Sequence, residues 1–268
     1  MFDSGFGGLT VARAVIDLLP SENVVYFGDT GRYPYGPRPL PQVAEFAHQI
    51  TDVLVSQFDV KAVVVACNTA SAAALEQLHA ACPVPVIGVI EPGARAAVSA
   101  TRSGRIGVIG TVGTIRSGSY QNAVDAEARE RDRPVQLTCA ACPGFVEFVE
   151  RGETDSEQVH ILAERLLAPV VSAEVDTLLL GCTHYPFLAR TIGEVMGPDV
   201  VLVSSADETA FAVRALWDSP RGAGRAGEHR FVSSGDAEWF AALGEQLLGP
   251  EIRAVESWEW PAEAAGRQ

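Results

Sequence analysis

The feature that most restricts how this chain can fold is a set of short aliphatic runs that do not alternate. Val63-Val64-Val65 and Leu178-Leu179-Leu180 carry bulky apolar side chains at every position. A strand with one wet face alternates apolar and polar residues. A strand that is apolar throughout has to be covered on both faces, as in parallel sheets flanked by helices. Related runs predict strands over 23–28, 61–66, 85–90, 105–110, 135–139, 177–181, 200–204 and 230–233. Between them, apolar residues recur at helical spacing over 9–19, 41–57, 70–81, 92–101, 118–129, 156–172, 187–196, 206–217 and 237–248. Strand alternating with helix predicts an α/β fold whose parallel strands are joined by right-handed crossovers.

The two aliphatic runs also sit in matching frames. Val63-Val64-Val65-Ala66-Cys67-Asn68-Thr69 and Leu178-Leu179-Leu180-Gly181-Cys182-Thr183-His184 both read as three aliphatics, a small residue, a cysteine and two polar residues. At a similar offset, Asp3-Ser4-Gly5 pairs with Gly110-Thr111-Val112, and Gly28-Asp29-Thr30 with Cys142-Pro143-Gly144. Two related α/β halves are expected, with a boundary near Glu91-Pro92-Gly93. The Gly-, Pro- and Arg-rich stretch 219–228 reads as a surface loop, and 258–268 as a weakly ordered tail.

Composition removes several classes of function. The 268 residues carry 20 basic and 34 acidic side chains, a net charge of −14. Such a surface repels phosphate backbones, so nucleic acid is not an expected partner. No apolar run reaches the roughly 18–20 residues that span a bilayer, and no secretory signal is expected, so the chain is expected in the cytoplasm. Gly5-Phe6-Gly7-Gly8-Leu9-Thr10 and Gly110-Thr111-Val112-Gly113 both fail the dinucleotide pattern, and no phosphate-binding GxxxxGK[ST] occurs. Lys61 is the single lysine and heads a strand, at the end away from the polar clusters. A pyridoxal phosphate enzyme needs a Schiff-base lysine in its site, so that cofactor is not expected. Five cysteines, with one Cys139-Ala140-Ala141-Cys142 pair and scattered histidines, form neither a disulfide framework nor a zinc site.

Ligands of open α/β sheets gather beyond the carboxyl ends of the strands. The polar residues there are Asp3-Ser4, Asp29-Thr30 with Pro34-Tyr35-Gly36, Cys67-Asn68-Thr69, Thr111 with Thr114, and Cys182-Thr183-His184. Asp3, Asp29, Thr111 and Thr114 also suit simple turn or cap roles. Each cysteine alone reads as readily as a small buried hydrophobe. Two in matching frames suggest two thiols facing each other across a cleft, as a stereoinverting proton transfer requires. A helix amino terminus beside each is expected to favour the thiolate and bring its pKa near working pH.

Four motifs in order carry a family resemblance. They are Asp3-Ser4-Gly5-Phe6-Gly7-Gly8-Leu9, Gly28-Asp29-Thr30 with Pro34-Tyr35-Gly36, Ala66-Cys67-Asn68-Thr69-Ala70, and Gly181-Cys182-Thr183-His184-Tyr185-Pro186. Together, from residue 2 to about 210, they resemble the glutamate racemases of the cofactor-independent aspartate/glutamate racemase superfamily. The resemblance implies two parallel-sheet α/β domains related by approximate two-fold pseudosymmetry, with the active site in the cleft. The second domain, 93–207, would be inserted into the first, 1–92 plus 208–268. It implies interconversion of L- and D-glutamate without cofactor or metal, supplying D-glutamate for peptidoglycan, by a homodimer. Cys67 and Cys182 would be the acid/base pair, Asp3 would assist Cys67, and His184 would assist Cys182. Asp3, Ser4, Tyr35, Gly36, Asn68, Thr69, Thr183 and His184 would line the glutamate site. Glu150 matches a family carboxylate close by, and Cys142 would be structural. The family usually has a few residues before this Phe-Asp-Ser-Gly where this chain has only Met1, so either a clipped first strand or a true start upstream is expected. Aspartate as substrate and a secondary contact with DNA gyrase, made by some family members, stay open.

Overall fold

The computed structural model describes residues 1–217, 226–249, 252 and 254–261. Most of the expected surface loop (219–225 of 219–228) and most of the expected tail (262–268 of 258–268) lie outside the described residues. The described strands are β1 (Phe2–Asp3), β2 (Val24–Gly28), β3 (Val63–Val65), β4 (Val86–Gly88), β5 (Arg105–Gly110), β6 (Gln136–Ala141), β7 (Thr177–Gly181), β8 (Val201–Val203), β9 (His229–Ser233) and β10 (Val255–Ser257). They form a six-stranded sheet, in order β10-β9-β2-β1-β3-β4, and a four-stranded sheet, in order β6-β5-β7-β8. Every recorded pairing is parallel.

The unbroken aliphatic runs are covered on both faces, as their pattern demands. In β3, Val63 and Val65 join one apolar cluster with Val43, Ala47, Ile50 and Leu54 of the helix Leu40–Phe58. Val64 between them points into a different cluster with Leu9, Val11 and Val15 of the helix Leu9–Leu18. In β7, Leu178 and Leu180 enter that same second cluster. Leu179 packs with Ile106, Val108, Tyr120 and Val124 on the other face. Burying one such side chain is worth about 1.5–3 kcal/mol. One cluster reaches from Leu9 and Tyr26 beside the first sheet to Leu178 and Leu180 in the second, so the two sheets share a core.

The internal repeat is visible in the topology. The order β2-β1-β3-β4 recurs as β6-β5-β7-β8. Asp3 pairs with Gly28 in the first sheet, and Gly110 pairs with Ala141 and Gly181 in the second. Asp3 therefore corresponds to Gly110, as in the paired segments Asp3-Ser4-Gly5 and Gly110-Thr111-Val112. The sequence pattern missed β10, where Val255-Glu256-Ser257 offers no aliphatic run, and did not delimit the two-residue β1. It also missed the helices Val112–Arg116 and Phe145–Glu150, whose five and six residues are too few to show helical periodicity. The expected helix over 187–196 is split into a 3-10 turn, Tyr185–Leu188, and the helix Ala189–Met196.

One surface carboxylate ties the start of the second sheet together. Asp176, just ahead of β7, accepts the Thr101 hydroxyl (2.5 Å) and the backbone N–H groups of Arg102 (2.8 Å) and Ser103 (2.6 Å). Desolvation opposes its ionisation, but these hydrogen bonds outweigh it and hold the carboxyl well below the usual range. A depressed folded-state pKa adds stability above the unfolded value of about 3.9, and that stability is lost as pH falls toward the folded value. Asp176→Asn is therefore expected to lower unfolding stability by about 1–2 kcal/mol at neutral pH. The gap from the parent should narrow steadily in denaturant melts below about pH 4; a gap that is constant with pH would contradict this account.

Candidate active site

The carboxyl ends of six strands meet around one cavity. It is lined by Ser4 after β1, Tyr33–Pro37 after β2, Cys67-Asn68-Thr69 after β3, Thr111-Val112 after β5, Cys142-Pro143-Gly144 after β6, and Cys182-Thr183-His184-Tyr185 after β7. Val146 and Glu147 complete the wall. Its volume is about 90 Å3. A single water needs about 10–15 Å3 on this measure, so the cavity fits a ligand of several heavy atoms and is too small for a nucleotide.

Hydrogen bonds that cross between the sheets hold this arrangement. Asn68 Nδ2 donates to the Tyr120 hydroxyl at 2.6 Å. The hydroxyls of Thr69, Thr111 and Thr114 form a closed triangle with sides of 2.9–3.1 Å. Gly113 N–H donates to the Gly36 carbonyl at 3.1 Å. A Cβ on Gly36 would stand 3.0 Å from Thr111 Cβ, so the absence of a side chain there permits the approach. Thr111 also caps the helix Val112–Arg116 by accepting the Thr114 N–H.

Cys67 is the N-cap of the helix Asn68–Ala81, and its sulfur accepts the Ala70 N–H at 3.5 Å. The Ser4 hydroxyl lies 3.8 Å away. Those contacts favour the thiolate, as the sequence argument expects, yet they do not prevail. Burial, and then the Asp3 carboxylate behind the thiol, push its pKa up to about 12. Cys182 follows the same rule. Burial pushes it up strongly, the backbone amides of His184 and Tyr185 oppose the shift, and the Cys67 and Asp3 charges add to it. The expectation of a thiolate near working pH is thus corrected. A helix terminus is worth about 0.3–1 kcal/mol, while full burial shifts a pKa by several units.

Ser4, Tyr35, Gly36, Cys67, Asn68, Thr69, Cys182, Thr183 and His184 all face the cavity. Two sequence-expected site residues stand just outside it. Asp3 is fully buried behind Cys67, and its Oδ2 accepts the N–H groups of Gly5 and Gly8 at 3.1 Å each. Glu150 lies behind His184, with its Oε1 3.7 Å from His184 Nε2. His184 Nδ1 stands 4.0 Å from Cys182 Sγ. A Cβ on Gly7 would come within 2.4 Å of that Nδ1, so the Phe6-Gly7 backbone backs directly onto the imidazole. Tyr35 presents its backbone and ring, because its hydroxyl is committed to Asp29. Asp29 is no simple turn residue. It is fully buried and also accepts from Arg32, Ser234 and Trp260. Cys142 is buried at the end of β6, and its carbonyl accepts the Tyr185 hydroxyl.

Sequence reasoning missed Tyr33, Tyr120 and Glu147. Tyr33 carries no motif, and Glu147 lies in the same stretch as Glu150, which alone is singled out there. Tyr120 lies on a helix of the second half and reaches the site only through the tertiary fold. No group of three or more His, Cys, Asp or Glu among the described residues is placed to hold a metal ion. Lys61 is remote from the cavity, paired with Glu22 at 2.6 Å over the Trp217 ring.

A family model described as Asp/Glu/Hydantoin racemase matches residues 10–213. A glutamate racemase of Parafrankia sp. (strain EAN1pec) is 51% identical over 261 residues, covering 95% of this chain and 92% of that protein. Among solved structures, glutamate racemase isoform RacE1 from Bacillus anthracis is 41% identical with a TM-score of 0.88, covering 97% of this chain and 96% of that one. A glutamate racemase from Francisella tularensis, in complex with D-glutamate, is 30% identical with a TM-score of 0.87, covering 96% and 95%.

Burial pushes the Cys67 thiol up to about 12, so little of it is thiolate at neutral pH. Alkylation at Cys67, followed by peptide mass spectrometry, should be slow at neutral pH. It should climb about tenfold per pH unit to pH 10 without a plateau; a plateau near pH 7–8 would mean that the thiolate is already resident.

Proposed function

The chain belongs to the Asp/Glu/hydantoin racemase family, and we propose that it interconverts L- and D-glutamate by a two-base proton transfer at Cα through Cys67 and Cys182. The observation that carries this reading is the pair of buried thiols in one cavity, one after β3 and the other after β7, at corresponding points of a repeated strand order. A substrate between them offers each face of its stereocentre to a different sulfur. One thiolate takes the α-proton, electron density moves onto the α-carboxylate, and the opposite thiol delivers a proton to the other face. The enzyme ends with the two protonation states exchanged, so the reverse reaction uses the same groups in opposite roles.

The high thiol pKa fits this chemistry when the substrate is included. An amino acid brings an ammonium group into the cavity, and a positive charge within about 4–6 Å favours the thiolate. Binding then creates the base that the empty cavity suppresses, and a dry site strengthens each fixed dipole that faces the developing carbanion. The wall offers neutral donors for carboxylates, namely the Ser4 and Thr183 hydroxyls, the second amide hydrogen of Asn68 and the amino terminus of the helix Asn68–Ala81, whose first turn includes the Thr69 N–H. The described lining contains no arginine or lysine. Such a wall suits a small dicarboxylate whose own ammonium supplies the positive charge. The relative solved with D-glutamate supports glutamate as that substrate, and D-glutamate made this way would enter peptidoglycan.

Cys67→Ser and Cys182→Ser are each expected to lower kcat by about 10²–10⁴-fold, the usual contribution of a general acid or base, with thermal unfolding nearly unchanged. Circular dichroism of each glutamate enantiomer, without added cofactor, reads the rate, and aspartate serves as the competing substrate. Wild-type turnover in both variants would overturn the mechanism, and faster turnover of aspartate would overturn the substrate. A net charge of −14 repels an anionic substrate, so kcat/KM should rise, with kcat unchanged, between about 0.01 and 0.15 M ionic strength.

A further inference from the structure

Three buried polar atoms around His184 have no hydrogen-bond partner: His184 Nε2, Glu150 Oε1 and the Tyr33 hydroxyl. His184 Nε2 and Glu150 Oε1 are 3.7 Å apart, too far for a direct hydrogen bond. The Tyr33 ring packs tilted on the imidazole, with centroids 6.3 Å apart, and Tyr33 lines the cavity. Burial, then the Glu150 carboxylate close to it, push the Tyr33 phenol far above its ordinary pKa, so it remains a neutral O–H donor. Orphaned buried polar atoms are rare, and each calls for a partner. Here the Tyr33 donor lies close to the Glu150 carboxylate, and Glu150 Oε1 lies 3.7 Å from the His184 ring nitrogen; a single buried water typically makes 2–4 such bonds.

We propose that Tyr33 is a positioning residue for the Cys182 half of the reaction: its hydroxyl, together with Glu150 Oε1 and His184 Nε2, holds one ordered water that fixes the tautomer and orientation of the imidazole behind Cys182. With the Nε2 proton directed at that water and Glu150, Nδ1 presents a lone pair toward the thiol 4.0 Å away. The Cys67 half is built differently. Its thiol is met by the Ser4 hydroxyl and the Ala70 N–H, and behind it Asp3 has Oδ2 engaged by the amides of Gly5 and Gly8 while its buried Oδ1 is unpartnered. Tyr33 therefore acts on one arm of a two-arm reaction. This inference rests on Cys182 being one of the two bases.

The test is Tyr33→Phe, which keeps the ring and removes the hydroxyl, with Glu150→Gln as a second variant that weakens the same water site. Turnover should fall about ten- to a hundredfold, less than loss of a whole acid–base group. The deciding measurement is the primary isotope effect on kcat/KM with α-deuterated L- and D-glutamate. Slowing the Cys182 arm makes C–H cleavage more limiting for the enantiomer that Cys182 deprotonates. For the other enantiomer it makes reprotonation more limiting. The isotope effect should thus rise for one enantiomer and fall for the other, in the same sense in both variants. A purely structural loosening slows both arms together and leaves the ratio of the two effects at its wild-type value; that result would overturn the proposal. Cys182→Ser is assayed alongside. If it keeps wild-type turnover, the two-thiol reading fails; if it is inactive while the ratio in Tyr33→Phe is unchanged, only the role of Tyr33 fails.

Discussion

The site depends on the carboxyl ends of two parallel sheets being locked against each other. The contacts that do this are few and polar: Asn68 to Tyr120, the Thr69–Thr111–Thr114 triangle, and Gly113 to Gly36. Each joins a residue before position 70 to one after position 110. Buried hydrogen bonds are worth only about 0.5–1.5 kcal/mol net, but a broken one leaves an orphaned group that costs more. They therefore act mainly as registers, while the shared apolar core beneath supplies the cohesion. A cavity this small keeps its shape only because both walls are fixed from behind.

That closure also explains the electrostatics. Both thiols are buried, and desolvation overrides the helix terminus at Cys67 and the backbone amides at Cys182. The same burial would make a substrate ammonium unusually effective, because its charge is poorly screened inside the cavity.

The two halves share a topology but support their cysteines differently. Behind Cys67 stands a carboxylate held by backbone amides; behind Cys182 stands an imidazole with a second carboxylate beyond it. The loop after β2 also reaches both ends of the molecule. Asp29 gathers Arg32, Tyr35, Ser234 and Trp260 into one buried cluster, with the Arg32 guanidinium stacked between Phe46 and Trp260. A chain segment near the carboxyl terminus thereby holds the loop that carries Tyr33, Tyr35 and Gly36.

Much of this was legible in the amino-acid sequence. Unbroken aliphatic runs at 63–65 and 178–180 demand strands covered on both faces, and equal frames around Cys67 and Cys182 announce a repeated half. Both follow from local rules, since periodicity and burial need no knowledge of partners. Asp29 as a hub, Tyr33 beside His184, Tyr120 on Asn68, and Asp3 and Glu150 one layer behind the cavity wall were decided only by the tertiary structure. So was the protonation of the thiols. Burial is a property of everything packed around a group, and the flanking residues record only the helix terminus, which is the weaker of the two effects.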